Sequence, residues 1–122
     1  MTSPHRYLTA AHRGEVCCVR LRRGYLDEPD IRALGDELLA LGSADGCRRL
    51  VLSLGGAEPP QLMYSVFLAC LVALRRLLAE RGRDLVLCDV GASVRAILEA
   101  CKLDSHFRFA PTFDAAIALP PE

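Results

Sequence analysis

The chain has 122 residues, of which 52% are hydrophobic and 25% are charged. These values are typical of one folded domain and exclude a disordered chain. Fifteen Lys and Arg residues balance fifteen Asp and Glu residues, so the formal net charge at pH 7 is zero. A neutral chain lacks the basic face of a nucleic-acid-binding protein, and we expect no nucleic-acid partner.

The sequence predicts neither membrane insertion nor secretion. The longest uncharged apolar stretch, from Leu62 to Leu74, has 13 residues, whereas a membrane-spanning helix needs about 20. Residues Met1 to Arg6 contain no apolar core of a signal peptide. We therefore expect a cytoplasmic protein that has no membrane partner.

Strand and helix patterns alternate along most of the chain. The predicted elements are, in order, an edge strand around 7–10, a strand over 15–23, a helix starting at Asp27-Glu28-Pro29, a strand over 50–54, a loop over 55–60, a helix over 61–81 ended by Gly82, a strand over 85–88, a helix carrying Val94, Ile97, Leu98 and Cys101, a strand over 107–110 and a final helix capped by Thr112. This order predicts an α/β fold, a single domain with a mixed or parallel sheet of four to five strands and about four helices.

The six cysteines show no C-x-x-C spacing. We expect them to be small buried residues in a reducing compartment rather than metal ligands or disulfides. They are Cys17, Cys18, Cys47, Cys70, Cys88 and Cys101.

No arrangement of residues indicates catalysis. His5, His12 and His106 are scattered and form no metal-binding motif. Gly55-Gly56 is not followed by the Gly-Lys-Ser/Thr of a phosphate-binding loop, and no nucleophile elbow occurs. We expect a protein that is not an enzyme and that holds no metal or other cofactor.

The start of the long helix is unusual because it is apolar almost all round. An isolated surface helix has a polar stripe. Two interpretations remain open: both faces are buried, or part of this stretch projects outward as an apolar docking patch. The residues of that patch would be Met63, Tyr64, Val66, Phe67 and Cys70.

Ser65 is the only Ser or Thr hydroxyl in this apolar stretch. It is either a helix-capping or exposed hydroxyl, or a candidate phosphorylation site. A phosphate would add about −1.5 to −2 charges to the patch. A docked partner would have to desolvate this charge, so phosphorylation would act as an off-switch.

Several short motifs follow one another over residues 14–119. They are Gly24-Tyr25-Leu26-Asp27, the strand Leu50–Leu54, the helix Leu68–Leu78 with Arg75-Arg76, Gly82-Arg83-Asp84-Leu85-Val86-Leu87-Cys88, Val94-Arg95-Ala96-Ile97-Leu98-Glu99, Leu103-Asp104-Ser105-His106-Phe107 and Phe113–Ala118. In this order they resemble the STAS domain, the fold of bacterial anti-sigma factor antagonists and of sulfate-transporter tails. We therefore divide the chain into an N-terminal segment with an edge strand (1–13) and a STAS-like domain (14–119).

The resemblance places Ser65 at the phosphorylated position of the family's Asp-Ser-Ser/Thr-Gly switch loop. The loop is degenerate in this chain, because Tyr64, Val66 and Phe67 replace the acid, the second hydroxyl and the glycine. Ser53 stands where the family's central strand usually ends with Asp.

The resemblance implies a cytoplasmic regulator that binds an anti-sigma factor or a related kinase-type ATPase domain, and so frees another regulator. The start of the long helix and the preceding loop would form the partner-binding surface. Its residues would be Gly55, Gly56, Glu58, Met63, Tyr64, Ser65, Val66, Phe67 and Cys70.

Two alternatives remain. In the first, the same apolar surface makes a constitutive homodimer or scaffold without a phosphorylation switch. In the second, the protein binds a small ligand or nucleotide at Gly55-Gly56 and Asp89–Ser93, the carboxyl ends of the predicted strands.

Overall fold

The computed structural model describes residues 8–21, 27–55 and 65–121. Its sheet has five strands in the order β1-β2-β3-β4-β5, in which β1 is antiparallel to β2 and the other neighbours are parallel. The strands are β1 (Leu8–Arg13), β2 (Val16–Leu21), β3 (Arg49–Ser53), β4 (Asp84–Cys88) and β5 (Arg108–Ala110). The predicted α/β class with a mixed sheet is confirmed.

Helices cover the two faces of the sheet unequally. Within the described residues the helices are α1 (Glu28–Ser43), α2 (Ser65–Glu80), α3 (Ala92–Ala100) and α4 (Phe113–Ala118), with a 3₁₀ turn at Asp104–His106. The first three helices each connect two neighbouring parallel strands. Since such crossovers are right-handed and all proceed in one direction along the sheet, these helices lie on one face. The short α4 follows the last strand and packs on the opposite face.

Each face of the sheet has its own apolar core. The larger core joins α1, α2 and α3 to side chains such as Val19, Leu52 and Leu87. The smaller core, beneath α4, contains Val51 and Val86. Alternation along the strands therefore divides the two cores, and the apolar strand β3 is buried on both faces.

Local signals begin and end the helices where the sequence predicts. The Asp27 carboxylate accepts a hydrogen bond from the Asp30 N–H at 2.9 Å and caps α1. Gly82 follows α2 with a φ of 71°, a left-handed conformation that favours glycine. The Thr112 hydroxyl accepts a hydrogen bond from the Ala115 N–H at 3.1 Å and caps α4.

Helices α1 and α2 approach closely at two glycines. A Cβ atom added to Gly35 would lie 2.9 Å from the Cys70 sulfur, and one added to Gly42 would lie 2.8 Å from a methyl of Leu78. The absence of a side chain at these two positions lets α2 pack directly against α1.

The cysteines are mostly but not all buried. Cys17, Cys18, Cys47 and Cys88 are buried, and Cys70 is half-buried. The expectation that Cys101 is buried was wrong, because this residue follows the last turn of α3 and is exposed. Burial raises the pKa of Cys17 to about 11 and that of Cys88 to about 12.

A buried arginine joins the sheet to the C-terminal segment. Only 5% of Arg49 is exposed, and its guanidinium lies 2.9 Å from the carboxylate of Asp84 on the neighbouring strand. The same guanidinium donates hydrogen bonds to the carbonyl oxygens of Ala116 and Leu119, both at 2.8 Å, and of Pro120 at 3.1 Å. Arg49 thus holds the end of α4 against β3 and β4.

Replacing Arg49 tests this interaction. We expect Arg49→Met to lower the free energy of unfolding by about 3 kcal/mol, since it removes one partner of a buried ion pair and leaves carbonyl groups without a donor. Arg48→Met is the matched control, because Arg48 pairs with Glu15 at the surface; we expect it to cost at most about 1 kcal/mol. Urea unfolding measures both values, and equal losses would contradict the assignment.

The thiols provide a test of burial. At pH 8 we expect an alkylating reagent to modify exposed Cys101 in the native protein, while Cys17 and Cys88 react only after unfolding. The pKa values of Cys17 and Cys88 are higher in the folded protein than in the unfolded chain. The contribution of these two thiols to the free energy of unfolding is therefore fully present below about pH 8.5 and decreases as the pH rises toward 11 to 12. Peptide mass spectrometry identifies the modified residues, and early modification of Cys17 would contradict the described core.

Candidate functional site

The candidate site lies at the carboxyl ends of β3 and β4, close to the start of α2. The carboxyl ends of neighbouring parallel strands lie at the same end of a sheet. Ser53 and Cys88 are register partners at these strand ends. Of the predicted partner-binding residues, Gly56, Glu58, Met63 and Tyr64 lie outside the described residues.

The structure separates the remaining predicted residues of α2. Ser65 is the first described residue of the helix and is exposed, and Val66 is half-buried. The prediction that Phe67 projects outward was wrong, because only 2% of this residue is exposed. Phe67 lies on the same helical stripe as Leu71 and Leu74, and this stripe faces the larger core.

Cys70 lies between α1 and α2 rather than at an open surface. Its sulfur packs against Gly35, and it lines a narrow groove of about 200 Å³ together with Arg32 and Leu39. Burial is the largest cause that raises the pKa of the Cys70 thiol. The prediction that Cys70 projects outward in a docking patch was therefore wrong, because this residue lies at the contact between α1 and α2.

The open side of α2 carries, besides the predicted Ser65, residues that the sequence analysis missed. Helical spacing from Ser65 leads to Leu68, Ala69, Val72 and Arg76, which we call the outer face of α2. All but Ser65 line an open depression of about 390 Å³, which Leu103 also lines. Counting 3.6 residues per helical turn from Ser65 could have identified the outer face of α2 from the sequence.

A hydrogen-bonded latch joins the ends of β3 and β4. The fully buried hydroxyl of Ser53 donates to the Asp89 carboxylate at 2.7 Å and accepts from the Gly55 N–H at 3.3 Å. The Leu54 N–H also donates to the Cys88 carbonyl at 3.0 Å. These bonds fix the direction in which the chain leaves β3 toward α2.

Asp89 holds this latch in an unusual backbone conformation. Its φ is 54°, in the left-handed region that non-glycine residues seldom adopt. A Cβ atom added to Gly55 would lie 3.1 Å from the Cβ of Asp89, so any side chain at this position would crowd Asp89. The strain at Asp89 is offset by its hydrogen bond to a hydroxyl that has no access to water.

A second depression lies at the same end of the sheet, on the α4 side. It has a volume of about 700 Å³ and is lined by Arg13, Arg20, Asp89, Phe113 and Asp114, among others. The Arg20 guanidinium lies 5.0 Å from the centre of the Phe113 ring, and Arg13 pairs with Asp114 at 2.6 Å. The charges of its two arginines are thus balanced by those of its two aspartates. The alternative that the protein binds a small ligand stays a prediction.

The described residues contain no group of three or more His, Cys, Asp and Glu side chains that could hold a metal ion. His12 and His106 are exposed, and His5 lies outside the described residues. Within 8–21, 27–55 and 65–121, no helix has the length and hydropathy needed to cross a membrane.

Comparisons with known proteins define the class of this domain. The family model described as the STAS domain matches residues 7–116. The chain belongs to the STAS domain family, as its sequence motifs indicated. The comparison with curated proteins gives no match.

Solved structures of anti-sigma factor antagonists share the fold. An anti-sigma-factor antagonist (STAS) domain protein from Planctomyces limnophilus is 18% identical with a TM-score of 0.74, covering 90% of this chain and 94% of that one. A putative anti-sigma factor antagonist from Thermotoga maritima is 19% identical with a TM-score of 0.71, covering 90% and 91%. The Bacillus cell fate determinant SpoIIAA, in its phosphorylated form, is 15% identical with a TM-score of 0.63, covering 90% and 96%.

Substitutions at Asp89 test the latch. We expect Asp89→Ala to lower the free energy of unfolding by about 2 kcal/mol, because it leaves the buried Ser53 hydroxyl without its acceptor. Asp89→Asn is the matched control, since its side-chain oxygen can accept the same bond and asparagine tolerates positive φ. Chemical unfolding gives both values, and a loss as large for Asn as for Ala would show that the hydrogen bond is not the cause.

Proposed function

We propose that this STAS domain is a cytoplasmic regulatory module that docks a protein partner through the outer face of α2. The observation that carries the proposal is the position of Ser65, an exposed hydroxyl in the first described turn of α2 and in line with Ala69 and Val72. A partner covering this face would bury an apolar surface around one modifiable group.

The surroundings of the outer face fit a protein partner. Leu68 and Val72 are only half-buried, and their depression is open and mostly apolar. Arg76 adds an exposed cation at one end of the face. An apolar centre with an arginine at its rim is the usual composition of a protein interface.

The partner class follows from the family. The similar solved structures include proteins described as anti-sigma factor antagonists. We propose an anti-sigma factor or a related kinase-type ATPase domain as the partner of this chain. Its capture here would free the regulator that it otherwise holds.

Phosphorylation of Ser65 would weaken this docking. A phosphate at Ser65 is compatible with the fold, because this side chain is exposed in the free protein. The bound partner, however, would remove water from the phosphate, which carries about −1.5 to −2 charges and lies next to Ala69 and Val72. The free protein thus tolerates the phosphate, whereas the complex does not.

A second candidate is a constitutive interaction module without a phosphorylation switch. Phe67, which occupies the position of the family's glycine, is committed to the larger core, and Val66 replaces the second hydroxyl. A kinase that requires the unchanged loop would therefore not modify Ser65. In that case the outer face of α2 binds its partner permanently, and a homodimer is one form of this module.

A charge substitution tests the docking site. We expect Ser65→Glu to weaken binding of purified anti-sigma factors from the source organism at least about tenfold, because the carboxylate is desolvated in the complex. Ala118→Glu is the matched control, since Ala118 is an exposed residue of α4, on the opposite face of the sheet. Isothermal titration calorimetry gives both affinities.

Three results of this experiment separate the candidates. Loss of binding for Ser65→Glu alone supports docking at α2, and incubation with the kinase-type partner and ATP then shows whether Ser65 is phosphorylated. Binding without phosphate transfer supports the constitutive module. Equal affinities for wild type, Ser65→Glu and Ala118→Glu would overturn the proposed docking site.

A further inference from the structure

We propose that the partner docks on the outer face of α2 with an acidic amphipathic helix, one carboxylate of which pairs with Arg76. This inference rests on the proposed function, because it concerns the same face of α2. It names the chemistry by which that face recognises a partner. Two observations support it: the interactions of the described arginines and the lining of the depression beside α2.

In the part of the chain that the structure describes, Arg76 differs from every other arginine. Each of the others has an interaction within the chain, and the partners include carboxylates, main-chain carbonyls and aromatic rings. Two of them follow Arg76 closely: Arg81 donates a hydrogen bond to the Ser43 hydroxyl, and Arg83 donates one to the Gly42 carbonyl at 2.8 Å. Arg76 itself is exposed and makes no hydrogen bond, ion pair or ring contact with a described residue.

The next carboxylate along α2 does not neutralise Arg76. Glu80 lies one turn further, at the i,i+4 spacing that can form an ion pair on a helix. No ion pair joins these two described residues. The guanidinium of Arg76 therefore keeps its donors for an anionic group of another molecule.

The depression beside Arg76 extends along α2. The residues that line it lie on successive turns of this helix, apart from one that follows α3. They are Leu68, Ala69, Val72, Ala73, Arg76 and Leu103. Ala69 and Ala73 are small side chains at i,i+4 spacing, and such a row allows a second helix to approach closely. The distance along the helix axis from Leu68 to Arg76 is about 12 Å, which equals about two helical turns.

The apolar lining favours a helix over an extended peptide as the docked segment. Among the described residues of the lining, Arg76 alone has a side chain that can form hydrogen bonds. An extended segment would lose water from its N–H and C=O groups here without gaining other partners. A helix satisfies these groups internally and presents apolar side chains at i, i+4 and i+7 to a groove.

The charge of Arg76 specifies what this helix carries at one end. An Asp or Glu about two turns from the first apolar anchor would meet the guanidinium, which can bind a carboxylate through two parallel hydrogen bonds. A Lys or Arg at the same position would be repelled. The contact thus selects among partners as well as binding them.

Charge substitutions at Arg76 test the inference, with purified anti-sigma factors from the source organism as the binding probe. We expect Arg76→Glu to weaken binding at least about tenfold, and Arg76→Met, which retains an apolar stem, by about three- to tenfold. Added salt should weaken binding of the wild type more than binding of Arg76→Met, because salt screens the ion pair that the variant lacks. Isothermal titration calorimetry measures these affinities.

Arg20→Glu is the matched control, because Arg20 is an exposed arginine on the opposite face of the sheet, where it lies over the Phe113 ring. It makes the same change of charge away from α2. We expect it to bind the partner like the wild type, and circular dichroism confirms that all variants are folded.

Compensating substitutions in the partner identify the carboxylate. Each exposed Asp or Glu on a helix of the partner is changed to Lys in turn, and we expect one such variant to restore binding to Arg76→Glu at least about tenfold. A proline on the solvent side of that helix should abolish binding, whereas alanine at the same position should not, because proline breaks a helix. Loss of binding by Arg76→Glu that no such reversal restores would contradict the ion pair, and a folded proline variant that binds like the alanine variant would contradict the helix.

The results separate this inference from the proposed function. If Ser65→Glu loses binding while Arg76→Glu and Arg76→Met bind like Arg20→Glu, docking at α2 stands and the acidic helix is overturned. If neither Ser65→Glu nor Arg76→Glu changes the affinity, or if the wild type binds no anti-sigma factor, both proposals are overturned. Loss of binding by Arg76→Glu, restored by one charge reversal in the partner, supports the inference.

Discussion

The arrangement of this domain depends on the interactions of the Arg49 guanidinium. It is buried in the central strand, where it meets the Asp84 carboxylate of β4 and carbonyl groups at the end of α4. A buried charge is tolerated only when its donors are satisfied, and here the C-terminal segment satisfies them. Arg108 supports the same group by donating to Asp84 at 3.4 Å and to Pro120. The short α4 thus keeps its place on a face of the sheet that it covers only in part.

This one-sided construction determines which surfaces remain for binding. Because α1, α2 and α3 all cover one face, α2 lies in the middle of the helical layer, packed against α1 through two glycines. Its outer face, which includes Ser65, is only partly covered. The Ser53–Asp89 latch lies at the same end of the molecule and fixes the chain where it leaves β3. At the edge of the sheet, β1 is an antiparallel addition to β2.

The sequence predicts the elements of this fold well because their signals are local. The capping side chains of Asp27 and Thr112, the glycine after α2 and the alternation in β2 act within a few residues. Phe67 was placed wrongly because periodicity is ambiguous in a stretch that is apolar on all sides. The latch and the Arg49 interaction could not be predicted, since their partners lie 36 and 35 to 71 residues apart in the chain. Only the register of the sheet brings these side chains together.

Hydrogen-exchange mass spectrometry of the domain, alone and with a purified kinase-type anti-sigma factor, tests the central claim most directly. The account predicts slower exchange on binding at residues 65–76 and near 53–55. It predicts little change in α4, whose short helix lies on the opposite face of the sheet. Protection confined to α4 or to β1, with α2 unchanged, would contradict docking through the outer face of α2.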